Sequence, residues 1–180
     1  ALDALKIGSM IHETYERLFK VIAEQGPLES CHASTYVKQA QLCFDQVFSA
    51  YARSNEAPLK STIAWLHKKY MELIPLVIEA ELGWLEGTTP TGFELPFLQA
   101  YPECGYLLKG RIDKVVDLGG INRCAVVDYK KSFRGTRKEY EDPNGNGGST
   151  QLPMYAKVLQ DMHPGLHVEK AAYYDVQAAK

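Results

Sequence analysis

The chain has little cysteine, no excess of positive charge and no long apolar run, and each shortage narrows what it can be. Its four cysteines, Cys31, Cys43, Cys104 and Cys124, are scattered, with none at Cys-x-x-Cys spacing. That argues against a zinc ribbon or a disulfide framework and for free or buried thiols in a reducing cytosol. The formal net charge is −2, so any nucleic-acid partner must be held by a local basic patch or through a metal. No apolar stretch is long enough to span a bilayer, the start carries no secretory signal, and no internal repeat is found.

What is present suits one domain with a sizeable core: 180 residues, 46% of them hydrophobic. Residues 8–25 carry Ile11, Tyr15, Leu18, Phe19 and Ile22 at helical spacing and stop at Gly26-Pro27. Residues 33–53 repeat the pattern through Tyr36, Ala40, Cys43, Phe44, Val47, Phe48 and Tyr51. A third helix is expected over 59–86, kinked or split at Pro75, which removes one ladder bond. Strands are expected over 92–100, 106–118 and 123–131. A long polar loop over 133–149 follows, then a helix over 150–162 capped by Ser149 or Thr150, and a last strand over 168–176. A strand, a helix and a strand in that order imply a crossover, with the last strand parallel to its partner. The class is α+β, a mixed sheet with a helical N-terminal third.

Gly110–Lys130 is the unusual stretch. It reads as two strands joined at Gly119-Gly120, a hairpin signal. Asp113, Asp128 and Lys130 interrupt apolar strands, where charged residues are poor formers. A two-residue turn sets Asp113 opposite Val126 and diagonal to Asp128 on one face, with Lys130 beside them. A slip of one residue would send Asp113 to the other face. Two carboxylates and an ammonium at one spot suit a hard divalent metal that polarises a phosphodiester and activates water, with Lys130 assisting. A cluster of ion pairs on an exposed sheet face would have the same composition.

Two further segments extend the pattern. Gly8-Ser9-Met10-Ile11-His12 opens the first helix, and Gln151-Leu152-Pro153-Met154-Tyr155 opens the late one. Taken alone, His12 beside an apolar stripe reads as a structural histidine and Tyr155 as core. In order, however, Gly-x-x-x-His, Gly-x-Ile-Asp, Asp-Tyr-Lys and Gln-x-x-x-Tyr resemble the PD-(D/E)XK nuclease superfamily. The branch resembled is that of the RecB and AddB helicase–nuclease C-terminal domains and the related CRISPR adaptation nucleases.

The resemblance implies a restriction-endonuclease-like αβββαβ core spanning 1–180, with 27–90 as a helical insertion. It implies metal ligation by His12, Asp113, Asp128 and the Tyr129 backbone carbonyl. Lys130 would be the catalytic lysine, and Gln151 and Tyr155 would flank the site. Glu94 stands where the family often has a glutamate, as a further ligand or as one half of an ion pair. Lys131 and Ser132 follow Asp-Tyr-Lys where the family often has Thr-Gly. Lys131, Arg134, Arg137 and Lys138 form the best basic patch for DNA phosphates; a solvated loop is the competing view.

The activity implied is that of a Mg²⁺- or Mn²⁺-dependent deoxyribonuclease, an exonuclease acting on single strands or duplex ends in repair and recombination. The setting implied is the bacterial cytoplasm, at the nucleoid, with a helicase domain or subunit as partner. AddB-like members often carry an iron–sulfur cluster, but the cysteines here lie at none of its positions, so none is supported within this chain. A start lacking methionine, Ala-Leu-Asp-Ala-Leu, suggests a piece of a larger protein. The rival function is a non-catalytic DNA-binding module of a helicase–nuclease complex. Nothing in the sequence reads an RNA 2′-OH.

Overall fold

A computed structural model describes residues 4–53, 60–130 and 150–176. Among these, four helices and a four-stranded mixed sheet follow the αβββαβ order of a restriction-endonuclease-like fold. Helix α1 (Ala4–Gln25) buries Ile7, Ile11, Tyr15, Leu18 and Ile22 and pairs Glu13 with Arg17 and Glu16 with Lys20 on its outer side. Gly26, at φ 115, ends it in a conformation that favours glycine. Helix α2 (Ala33–Ala52) buries Tyr36, Ala40, Phe44, Val47 and Phe48.

A kink or split was expected at Pro75; helix α3 (Lys60–Leu85) is not split there but continues through the proline as one element. The proline lies on the exposed side, while Ile74, Val77 and Ile78 on either side of it are buried. Packing of those residues outweighs the loss of one ladder bond.

The sheet order is β1 (Thr89–Tyr101), β2 (Tyr106–Asp117), β3 (Arg123–Lys130) and β4 (His167–Asp175). The first two pairings are antiparallel and β3 and β4 are parallel, joined through α4 (Gln151–Met162). Thr150 is the N-cap of α4, but its side chain makes no capping hydrogen bond. Helices α1 to α3 share one core with Val116, Ala125, Val127 and Tyr129 of the sheet. Helix α4 packs on the opposite side against Phe97, Ile112, Val115 and Val126. No described helix is long and apolar enough to cross a membrane.

Two departures shape the site. The β2–β3 connection is not a two-residue turn: Leu118 N–H donates to Arg123 C=O at 3.0 Å, so Gly119 to Asn122 form the loop. Gly119 and Gly120 both have positive φ, and so does Asn122, at 56°. The pairing therefore moves by two residues, with Val115 opposite Val126 and Lys114 opposite Val127, which sets Asp113 level with Asp128. A shift of two preserves the face, so Asp113 keeps its side of the strand.

The second departure is a break in alternation. Phe93 and its partner Lys114 face the helical layer, Phe93 packed half-buried against its core and Lys114 on Glu81 of α3. The next couple, Leu95 and Ile112, faces α4. Residues two apart on a regular strand share a face; here Glu94 and Asp113 stand between, and Glu94 has φ 47. A bulky residue in the left-handed region costs free energy, on the order of 1 kcal/mol or more, and such strain concentrates at functional sites.

Candidate active site

Four elements converge at that break. From α1, the His12 ring reaches the sheet with Nδ1 3.1 Å from Glu94 Oε1 and 3.4 Å from Asp113 Oδ1. Its Nε2 lies 3.0 Å from the Tyr129 carbonyl. Carbonyl and carboxylate oxygens accept, so both ring nitrogens donate and the metal-free imidazole is an imidazolium. Burial opposes that charge, but the hydrogen bond and negative charge of Asp113, with those of Glu94, outweigh it and push the His12 pKa up to about 9. Tyr129 N–H donates to Asp113 Oδ2 at 2.8 Å, so the backbone of one β3 residue fixes both the histidine and the aspartate.

Beside this lies a second group. Lys130 donates to Gln151 Oε1 at 2.7 Å, and Gln151 Nε2 donates to Asp128 Oδ1 at 2.8 Å and to the Tyr155 hydroxyl at 2.5 Å. Only this orientation of the amide works, since an ammonium cannot accept and a carboxylate cannot donate. Gln151 and Tyr155 meet because residues four apart share a helix face. Asp128 is 1% exposed. Burial first, and then the charge of Asp113, push its pKa up to about 6 against the pull of Lys130 and His12. Its Oδ2 is 2.6 Å from the Lys130 ammonium, yet among the described residues no donor is aligned with it; the contact is an ion pair without hydrogen-bond geometry.

The expected residues His12, Glu94, Asp113, Asp128, Tyr129, Lys130, Gln151 and Tyr155 thus occupy one neighbourhood. His12, Glu94 and Asp113 are the tighter set, with ligand atoms all within 4.8 Å of one another. Asp128 stands beside that set, engaged with Gln151 and Lys130. Lys131, Arg134, Arg137 and Lys138 lie outside the described residues. Arg111 was missed: it donates to Glu94 Oε2 at 3.1 Å with its side chain 64% exposed. Its only sequence signal was its place in Gly110-Arg111-Ile112-Asp113. A cavity of about 520 Å³, lined by Leu95, Val115, Arg123, Leu159 and His163 among others, contains none of the expected residues.

A family model described as the PD-(D/E)XK nuclease superfamily matches residues 1–180. The chain belongs to that superfamily. No curated protein matches it. PD-(D/E)XK members are generally nucleases that use divalent metals, and the donor set here fits one. Glu94 and Asp113 offer hard oxygen ligands, His12 a nitrogen, the Tyr129 carbonyl a neutral oxygen, and Asp128 a buried oxygen with no aligned donor. A second group, Glu29, Cys31 and His32, also has its ligand atoms close together, but all three are exposed, and no such supporting atom accompanies them.

Proposed function

We propose that this PD-(D/E)XK domain is a Mg²⁺- or Mn²⁺-dependent deoxyribonuclease, in the branch of the RecB- and AddB-like exonucleases of repair and recombination. One observation carries the reading: the His12–Glu94–Asp113 set lies beside a part-buried Asp128–Lys130–Gln151–Tyr155 network, spanning five elements. Surface ion clusters do not bury a carboxylate to 1% exposure.

His12, Asp113 and the Tyr129 carbonyl would hold the cation, with Glu94 and Asp128 as neighbouring oxygen donors. A divalent ion there supplies Lewis-acid polarisation of the phosphate and lowers the pKa of water. The residues of the chain supply the rest. Lys130, anchored by Asp128 and Gln151, is placed to offset negative charge that grows on the phosphate in the transition state. Gln151 and Tyr155 orient groups along the α4 side. His12 must give up a proton before it can ligate, and Asp113 and Glu94 cease to share that proton when it does. DNA, single-stranded or at duplex ends, is the substrate proposed, with a helicase domain or subunit to deliver it.

The test is degradation of end-labelled single-stranded DNA with Mg²⁺. Activity should vanish with chelator and fall at least ~100-fold in Lys130→Ala. If wild type and Lys130→Ala degrade DNA alike, the assignment is wrong.

A further inference from the structure

On the helical side of the sheet lie a lysine and a glutamate that no step above uses. Lys114 is 0% and Glu81 1% exposed, and Lys114 Nζ is 2.6 Å from Glu81 Oε2. The other Glu81 oxygen accepts from the Tyr129 hydroxyl at 2.5 Å. The ammonium also sits 3.8 Å from the centre of the Phe19 ring. Burying two charges costs about as much as their attraction returns, and well-packed apolar residues of similar volume often do as well or better. Stability alone is therefore a weak reason for this pair.

Tyr129 offers a better one, because it belongs to both sides of the sheet. Its backbone N–H donates to Asp113 Oδ2 at 2.8 Å and its backbone carbonyl accepts from His12 Nε2 at 3.0 Å. Its ring points the other way, stacked on Tyr15 of α1 with centroids 5.2 Å apart and planes 12° apart, and packed against Tyr174 of β4 at 5.9 Å. Its hydroxyl ends on Glu81 of α3. Apolar packing is non-directional and would let the ring slide; a hydrogen bond fixes distance and angle together. Tyr15 and His12 sit one turn apart on α1, so the same helix grips this residue by its ring and by its carbonyl.

We propose that Glu81, itself oriented by Lys114, is a positioning residue for the metal centre. It anchors the Tyr129 hydroxyl, and through that side chain it fixes the Tyr129 backbone, whose N–H and carbonyl orient Asp113 and His12. The inference rests on the reading of those residues as metal ligands. The contrary view is that Glu81, Lys114 and Tyr129 merely fill the core.

Mn²⁺ titration of the metal-free chain, followed by the paramagnetic resonance of free Mn²⁺, separates the two without any turnover. The apolar variant Glu81→Leu/Lys114→Met/Tyr129→Phe removes the anchor with no unpaired polar atom left behind among the three. Its metal-free thermal midpoint should stay near that of wild type, while its Mn²⁺ affinity falls about tenfold or more, as for other partners that orient ligands. An unchanged affinity overturns the proposal. Should that variant not fold, Tyr129→Phe decides: it deletes one hydroxyl and should weaken Mn²⁺ about threefold or more, whereas wild-type affinity overturns the proposal. A wild type that binds no Mn²⁺ sinks the metal-centre reading and this inference together. A wild type that binds Mn²⁺ and cleaves DNA, with variants that bind as well, sinks this inference alone.

Discussion

His12 shows most directly what a single residue contributes here. Its folded pKa of about 9 lies above its ordinary 6.5, so the metal-free native state holds the proton more tightly than the unfolded chain. The resulting stabilisation is fully present below pH 6.5 and is lost as pH rises to 9. It amounts to at most about 3 kcal/mol. Asp128, raised from 3.8 to about 6, acts in the same direction over a lower window, with stability falling as pH rises between those values. Thermal melts of the metal-free protein should therefore show a midpoint that declines from pH 6.5 to 9. In His12→Ala that decline should flatten; an equal slope in both proteins would remove the imidazolium from the site. At Lys130 the expectation concerns rate: Lys130→Ala should lower the turnover number far more than it changes the metal-free midpoint, since its side chain is 30% exposed and its neighbours are Asp128, Gln151 and, 5.3 Å away, the Tyr173 ring.

Among the elements, α3 and the β2–β3 hairpin behave least as their sequences suggest. Pro75 sits mid-helix on the exposed side of α3. Pro75→Ala should restore the missing ladder bond and stabilise the fold by about 1–3 kcal/mol, read as a higher denaturant midpoint. A loss of stability would mean that α3 needs the bend a proline imposes. The hairpin was legible in part. Alternation put Asp113, Asp128 and Lys130 on one face, and this survives because the real register differs from the two-residue turn by an even number. The four-residue loop itself was not legible, since Gly119-Gly120 suits a tight turn as well as the start of a longer one, and the Leu118–Arg123 bond that decides between them is a tertiary fact.

The same limit hid Glu81 and Lys114. Both leave a trace in the sequence: Glu81 falls within the stripe of Ile74, Val77, Ile78 and Leu82, and Lys114 stands in phase with Ile112 and Val116 at a spacing of two. A charge at an apolar position means either a surface residue or a buried pair, and only the partner tells which. Glu94 was placed near the site by resemblance, but its left-handed backbone and the reversal of faces around it come from the packing of β1 and β2 between two different helical layers.

At the scale of the whole molecule, the sheet serves two cores, and the site lies where α1 from one layer and α4 from the other reach β1, β2 and β3. Metal should therefore tie both layers together. A ligand that binds only the native state stabilises it by mass action, about 2.7 kcal/mol at a hundred times its dissociation constant. Saturating Mn²⁺ should raise the thermal midpoint of wild type and leave an Asp113→Asn variant nearly unmoved; a comparable rise in both would place the ion elsewhere. The order of helices, strands, helix and strand was readable from periodicity, and Asp113, Asp128 and Lys130 from strand alternation, while His12, Glu94, Gln151 and Tyr155 came only from the family resemblance. Their meeting at the seam between two layers was not readable, because it depends on how far α1 travels across the sheet.

The most direct measurement is a crystal structure of the protein soaked in Mn²⁺, with the ion located by its anomalous scattering. The expected result is an ion at the face reversal of β1 and β2, in contact with His12 and Asp113 and within reach of Glu94 or Asp128. An ion bound at another place, or His12 and Asp113 ligating nothing at saturating Mn²⁺, would contradict the metal centre and the nuclease activity that depends on it.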